Sequence, residues 1–182
     1  MTDTDFTGLW PDGETGPREM RATHGERDAL VDYLKNYRLT LKIKCTGLDA
    51  EQLARRAVPP STMSLLGLVR HMARVEHNWF VRVLQQQKVD RIYWSEQDDD
   101  LDFNGAVADP AVVADARESW EREVAAAEAY VEGQTDLGLT VPLGDDDTIE
   151  LREVLVHMIE EYARHCGHAD LMREVIDGRT GQ

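Results

Sequence analysis

The sequence has few cysteines, no long apolar run and no signal-peptide pattern. Its two cysteines, Cys45 and Cys166, form neither a disulfide framework nor a zinc-ribbon spacing. No apolar stretch approaches the length of a membrane span, and the N-terminus lacks the basic and apolar regions of a signal peptide. We therefore expect a cytoplasmic protein.

Positive charge is also scarce. The chain has 20 lysines and arginines against 35 acidic residues, which gives a formal net charge of −15. Contacts with phosphates need clustered basic side chains, so this balance argues against general binding to nucleic acids or anionic membranes. The 182 residues, 42% of them hydrophobic, suffice for one well-buried domain and are too few for two ordinary ones.

Apolar residues recur at helical spacing in four segments, which predicts an all-α four-helix bundle over residues 23–178. The predicted helix starts carry capping residues: Thr23, Ser61 or Ser64, Asp109, and Asp147 or Thr148. Glycines follow three of the predicted ends: Gly47, Gly133 and Gly178. The second helix should run to about Gln87. Residues 1–22 are predicted to be irregular and pinned to the bundle by Phe6 and Trp10.

The longest connection, residues 88–108, joins the second and third predicted helices. Its length suits a crossover in which these two helices run parallel. Three aromatic residues could anchor this loop or line a pocket mouth: Tyr93, Trp94 and Phe103. An acidic run does not match a calcium-binding loop and is interpreted as solvated: Asp98, Asp99, Asp100 and Asp102. A short extended piece is expected around residues 139–143.

The fourth predicted helix, residues 148–178, carries two polar residues inside its apolar face. Glu161 and His165 lie four residues apart, so their side chains are neighbours on the helix surface. Burying both is costly unless they are satisfied. They could form a structural hydrogen bond, or they could hold a divalent metal with a ligand from another helix. His157 and His168 lie at the shoulder of the same face.

A third candidate ligand is His71, at the shoulder of the apolar face of the second predicted helix. A structural, hydrogen-bonded histidine is the alternative interpretation for this residue. His77, by contrast, points away from the apolar face and is expected to be solvated. Together, His71, Glu161 and His165 would offer two nitrogens and one carboxylate, which suits zinc, nickel, iron or manganese. His157 or His168 could replace a ligand or support one.

Several stretches carry a family resemblance. They are SLLGLVRHMARVEHNWF at 64–80 and LREVLVHMIEEYARHCGHADLMREVIDG at 151–178, with GERDALVDYLKNYR at 25–38 and GLDAEQL at 47–53. At these residues the sequence resembles the DinB/YfiT-like superfamily, most closely its mini-circle protein branch, over about residues 20–178. The resemblance implies a bundle with up-down-down-up topology and a metal at one end of its core, held by His71, Glu161 and His165.

Many members of this superfamily have histidine where this chain has Glu161. The related mycothiol-dependent maleylpyruvate isomerase has glutamate there and binds zinc, but it also carries a further catalytic domain, so its specific reaction is not expected here. The resemblance implies a metal-dependent transferase that moves a low-molecular-weight thiol such as mycothiol onto an electrophilic small molecule. Arginines could bind a carboxylate of the thiol or substrate: Arg82, Arg164 or Arg74.

Two other functions fit the same residues. One is a non-catalytic bundle that binds a metal or a small ligand. The other is a purely structural bundle in which Glu161 and His165 only pair with each other. A homodimer formed through outer helix faces is also expected, because bundles of this kind often associate in that way.

Overall fold

The computed structural model describes residues 8–13 and 22–181, and these are mostly helical. The described helices are α1 (Glu26–Cys45), α2 (Ala50–Ala54), α3 (Leu65–Glu76), α4 (Leu101–Asn104), α5 (Pro110–Glu132) and α6 (Leu151–Asp177). A π-helical segment, His77–Leu84, continues α3. The strands β1 (Thr140–Leu143) and β2 (Asp147–Glu150) form an antiparallel hairpin. Within the described ranges, no helix is both long enough and apolar enough to cross a bilayer.

The predicted helix boundaries are met in part. The Asp109 side chain caps α5 by accepting a hydrogen bond from the backbone of Ala111. Ser64, rather than Ser61, caps α3 in the same way. The first helix begins at Glu26, behind an N-cap residue without a side-chain hydrogen bond, so the predicted cap at Thr23 is wrong. Gly178 adopts a left-handed conformation with φ of 78° and ends α6 as predicted.

The start predicted for the last helix is too early by two to three residues. Asp147 and Thr148 lie in β2, because pairing with β1 holds this backbone extended. The helix starts only at Leu151, where Glu150 and Glu153 form a reciprocal capping box. The extended piece expected around residues 139–143 is confirmed as β1, whereas its partner strand was not predicted.

The four long helices pack in pairs around one apolar core, α1 along α6 and α3 along α5. At one end, the Arg152 side chain pairs with Glu26, so the starts of α6 and α1 lie together. At the other end, Arg173 donates to the carbonyl oxygens of Lys44, in the last turn of α1, and of Thr46, just after it. The described residues are thus mostly helical, as predicted, with one two-stranded sheet that the all-α prediction did not include.

A buried polar network ties these helices together. Arg38 on α1 donates two hydrogen bonds of 2.7 Å to the carboxylate of Glu76, which is fully buried on α3. The Tyr162 hydroxyl donates to the same carboxylate at 2.8 Å, and Trp120 Nε1 donates to that hydroxyl at 3.0 Å. Burial raises the pKa of Tyr162 well above its ordinary value, so it acts as a neutral donor.

Trp10 holds the described residues 8–13 against the helices, as expected for this residue. Its ring is completely buried and lies edge-on to the Trp120 ring, with the two ring centroids 5.4 Å apart. Its Nε1 donates a hydrogen bond of 2.9 Å to Glu121 Oε1. Phe6, the second expected anchor, lies outside the described residues, as does most of the segment predicted to be irregular.

Candidate metal centre

The structure brings His71 of α3 together with Glu161 and His165 of α6. One donor atom from each lies within 4.8 Å of the others. His165 Nε2 is 3.5 Å from Glu161 Oε2, and His71 Nε2 is 4.0 Å from the same oxygen. In the part of the chain that is described, this is the one group of histidine, cysteine and carboxylate side chains close enough to hold an ion.

The orientation of His71 is set from behind by Asp102 on α4. The Asp102 carboxylate accepts a hydrogen bond from His71 Nδ1 at 2.8 Å, which leaves Nε2 to face Glu161. Arg74 Nη1 reaches the same carboxylate at 3.2 Å, and the Phe103 ring stacks on the His71 imidazole at 5.1 Å. Such a carboxylate–imidazole pair fixes which ring nitrogen is free for a metal.

The expectation that Asp102 is solvated is therefore wrong. Its side chain is 1% exposed, because α4 packs against α3 and turns this residue inward. Asp99 and Asp100, in the same run, are exposed as expected. No local pattern distinguishes Asp102 from its neighbours, since its position depends on a packing contact with a helix 31 residues away.

His165 is held in its neutral form. Burial, together with the nearby imidazoles of His71 and His168, lowers the pKa of His165 to about 3. Its Nδ1 lies 3.4 Å from His168 Nδ1, so Nε2 is the atom that faces Glu161. A neutral imidazole is the form that a metal ion needs.

The other predicted site residues surround this group without joining it. His157 Nε2 is 3.9 Å from Glu161 Oε1, and its ring contacts Trp79 edge-on at 4.8 Å. His168 contacts His165, as described above. The exposed Arg164 pairs with Glu160 at 3.0 Å and lies 3.5 Å from Glu161 Oε1.

A cleft of about 380 Å³ opens beside His71. Trp79 and Phe103 form part of its wall, and Arg82 and Arg74 line it, whereas Arg164 does not. Phe103 thus lines a pocket, which was one of the two roles considered for the loop aromatics. Tyr93 anchors the loop instead, because its hydroxyl donates to Asp115 at 2.7 Å.

The prediction that His77 is solvated is wrong. The residue is 8% exposed, with Nδ1 3.0 Å from Glu123 Oε2 and Nε2 donating to the Asp90 carbonyl at 2.9 Å. Helix α5 and the loop after the π-helical segment cover this side of the helix. This helix therefore has two buried faces. The apolar stripe in the sequence predicts one of them but not the second, which carries His77.

The donor set fits a divalent metal. Two imidazole nitrogens and one carboxylate oxygen are ligands that catalytic zinc sites use, and two donors on one tetrahedral zinc lie about 3.4 Å apart. The distances of 3.5 and 4.0 Å to Glu161 Oε2 are close to that spacing. Both histidines present Nε2 while Nδ1 meets another side chain, as metal-ligating histidines do.

A family model described as mycothiol-S-transferase matches residues 29–178, which include every residue of this site. The chain belongs to the mycothiol-S-transferase family. This is a DinB/YfiT-like family, so the superfamily predicted from the sequence is confirmed. Neither the curated proteins nor the solved structures that were compared contain a match to the chain. Membership of the mycothiol-S-transferase family implies a transferase related to mycothiol.

Proposed function

We propose that this protein is a metal-dependent S-transferase that joins a mycothiol-type thiol to an electrophilic small molecule. The observation that carries the proposal is the convergence of His71, Glu161 and His165 beside a cleft, in a chain of the mycothiol-S-transferase family. Such a site places a metal ligand at the wall of a cavity where two small molecules can meet.

His71, Glu161 and His165 would hold the divalent metal, with zinc first and nickel, iron or manganese as alternatives. When bound, such an ion lowers the pKa of a coordinated thiol and so supplies thiolate at neutral pH. Asp102 orients His71 through Nδ1. His168 supports His165, and His157 and Arg164 flank the second oxygen of Glu161.

The remaining chemistry is positioning. In the transfer, the thiol sulfur forms a bond to an electrophilic carbon, the bond from that carbon to its leaving group breaks, and the electron pair departs with the leaving group. The thiol proton passes to solvent. Trp79 and Phe103 would pack against the electrophile and limit the access of water, while Arg82 would bind a polar group on it.

We also infer an up-down-down-up order of the long helices. The paired contacts at both ends of α1 and α6 support a parallel arrangement of these two helices. The contacts His77–Glu123 and Tyr130–Leu84 support the same for α3 and α5. The contacts His71–Glu161 and Trp79–His157 support antiparallel packing of α3 on α6.

The cytoplasm is the compartment we propose, because Cys45 and Cys166 are both buried thiols and a thiol co-substrate suits reducing conditions. A homodimer is proposed through the outer face of α6, where Leu171 and Val175 are 58% and 53% exposed. Sedimentation velocity tests the dimer, and a monomer at micromolar concentration would exclude it.

The proposed activity is tested with mycothiol and monochlorobimane as thiol and electrophile. We expect turnover by the zinc-loaded protein, loss of at least about 100-fold after removal of the metal, and recovery when zinc is returned. The variants His71→Ala, Glu161→Ala and His165→Ala should show the same loss. His24→Ala, at an exposed position before α1, serves as the matched control.

The outcomes separate the alternatives. Full turnover by the metal-free protein or by His165→Ala would refute the metal-dependent mechanism. Stoichiometric zinc without turnover would favour a non-catalytic binding bundle. Protein that binds neither zinc nor nickel, iron or manganese would leave Glu161 and His165 as a structural pair.

A further inference from the structure

The cleft beside His71 carries positive charge that the metal centre does not use. Arg82, on the π-helical segment, and Arg91, in the loop that follows, both line it. Arg82 donates to the Val89 carbonyl and to the Asn78 side-chain oxygen, and the Arg91 guanidinium lies over the Trp94 ring at 4.7 Å. No carboxylate of the described residues pairs with either arginine. In a chain of net charge −15, this is a local reversal of sign.

The third arginine of the cleft differs from these two. Arg74 lies 3.2 Å from the Asp102 carboxylate and donates to the Asp99 carbonyl, so its charge is already neutralised. Of the acids that line the cleft, Asp102 is committed to His71 and Arg74, which leaves the exposed Asp100. Arg82 and Arg91 therefore give the cleft an excess of positive charge.

The same cleft also has apolar walls. Trp79, Phe103 and Ile92 line it beside the two arginines. Its volume of about 380 Å³ suits a small organic molecule of the size of one substituted aromatic ring. Guanidinium groups bind carboxylates through two parallel hydrogen bonds, and aromatic walls favour a flat apolar ring.

We propose that the electrophile accepted by this cleft is an aromatic carboxylate. Its acid group binds Arg82 and Arg91, and its ring packs against Trp79 and Phe103 with the reactive carbon toward His71. This assignment rests on the proposed function, because it names the electrophile of that transfer. Carbon–halogen electrophiles serve as the probe: the sulfur–carbon bond forms, the halide leaves with its electron pair, and the thiol proton goes to solvent.

The test compares 4-chloro-3-nitrobenzoate with the neutral 4-chloro-3-nitrobenzamide as electrophiles for the zinc-loaded protein. We expect the KM for the benzoate to be at least about 10-fold lower than that for the amide. In Arg82→Gln and in Arg91→Gln this ratio should fall toward one. Arg82→Lys should keep part of the preference for the benzoate, since lysine keeps the positive charge but cannot form the two parallel hydrogen bonds of a guanidinium. Arg56→Gln, at an exposed site outside the cleft, should keep the full ratio.

Calorimetric titration of each compound into the zinc-loaded protein without thiol separates this inference from the proposed function. The protein could bind the benzoate selectively, through Arg82 and Arg91, and yet show no turnover. That result would refute the S-transferase activity and would still support the anion site. Equal affinity for benzoate and amide, or a preference unchanged in both glutamine variants, would overturn the inference whatever the activity.

Discussion

At the scale of single residues, the site depends on how a second layer of side chains holds the donors. Asp102 accepts from His71 Nδ1 at 2.8 Å while it is almost completely buried. His168 meets His165 Nδ1 in a corresponding way. Each imidazole thus presents Nε2 toward Glu161. Because the rings are already oriented, metal binding costs less side-chain conformational entropy.

The first prediction concerns Asp102→Asn. The change keeps the shape of the side chain but removes the charge that orients the His71 ring, so we expect zinc affinity to fall by about 10–100-fold. Competition with a chromophoric chelator measures this directly. Asp100→Asn, an exposed neighbour in the same acidic run, is the matched control. An Asp102→Asn affinity equal to that of the control would show that His71 needs no such support.

The second prediction concerns pH. The pKa of His165 is lowered from 6.5 to about 3 in the native metal-free protein. Between these two pH values, His165 therefore binds a proton in the unfolded chain but not in the native protein. Stability is then complete above pH 6.5 and falls on acidification toward pH 3, by at most about 1.4 kcal/mol per pH unit from this group. Urea unfolding in the presence of chelator should show a shallower dependence for His165→Gln. Parallel curves for the two proteins would contradict the shift.

The candidate donors could be predicted from the sequence because each of them has a local signal. Glu161 and His165 share a helix face by their spacing alone, and His71 stands on the shoulder of an apolar stripe. Asp102 and His77 could not be predicted. Their burial depends on α4 and α5 packing against α3, and a tertiary contact of this kind leaves no periodic signal in the sequence.

At the scale of elements, the four long helices are joined by one buried polar network. Glu76 on α3 receives Arg38 from α1 and Tyr162 from α6, and Trp120 of α5 extends the chain of hydrogen bonds. The network lies within the core that positions α3 against α6. The two faces that carry the donors are therefore held by polar contacts as well as by apolar packing.

The third prediction concerns Glu76→Ala. It removes the buried carboxylate of Arg38, which then has only the exposed Glu128 at 3.6 Å, and leaves Tyr162 without an acceptor. We therefore expect the free energy of unfolding to fall by about 3–5 kcal/mol. Glu160→Ala breaks the exposed pair with Arg164 and should cost no more than about 1 kcal/mol. Chemical denaturation compares the two. Similar losses in both variants would mean that the buried pair contributes no more than a surface one.

Helical periodicity in the sequence does not predict the exact ends of the helices. The start of the last helix was predicted from Asp147 or Thr148 as a capping residue, yet residues 147–150 pair as a strand. Backbone hydrogen bonds to β1 decide that local structure, and the side-chain pattern cannot distinguish the two outcomes over four residues. The caps at Ser64 and Asp109 were predictable, because they depend on residues only two or three positions away.

At the scale of the whole molecule, the proposed metal would bridge two helices that are far apart in sequence. Its binding should therefore stabilise the native fold, since the unfolded chain does not assemble the site. The fourth prediction is that zinc at 100 times its Kd raises the free energy of unfolding by about 2.7 kcal/mol. His165→Ala should lose most of this gain, and His24→Ala should keep it. A gain that survives in His165→Ala would place the zinc elsewhere.

The central claim is that one metal ion binds between His71, Glu161 and His165. Anomalous diffraction at the zinc absorption edge, from crystals of the zinc-loaded protein, tests this most directly. We predict one strong peak within coordination distance, about 2.0–2.2 Å, of the Nε2 atoms of both histidines and of a Glu161 carboxylate oxygen. A zinc peak at any other group of side chains, or none at this site with zinc in excess, would contradict the account.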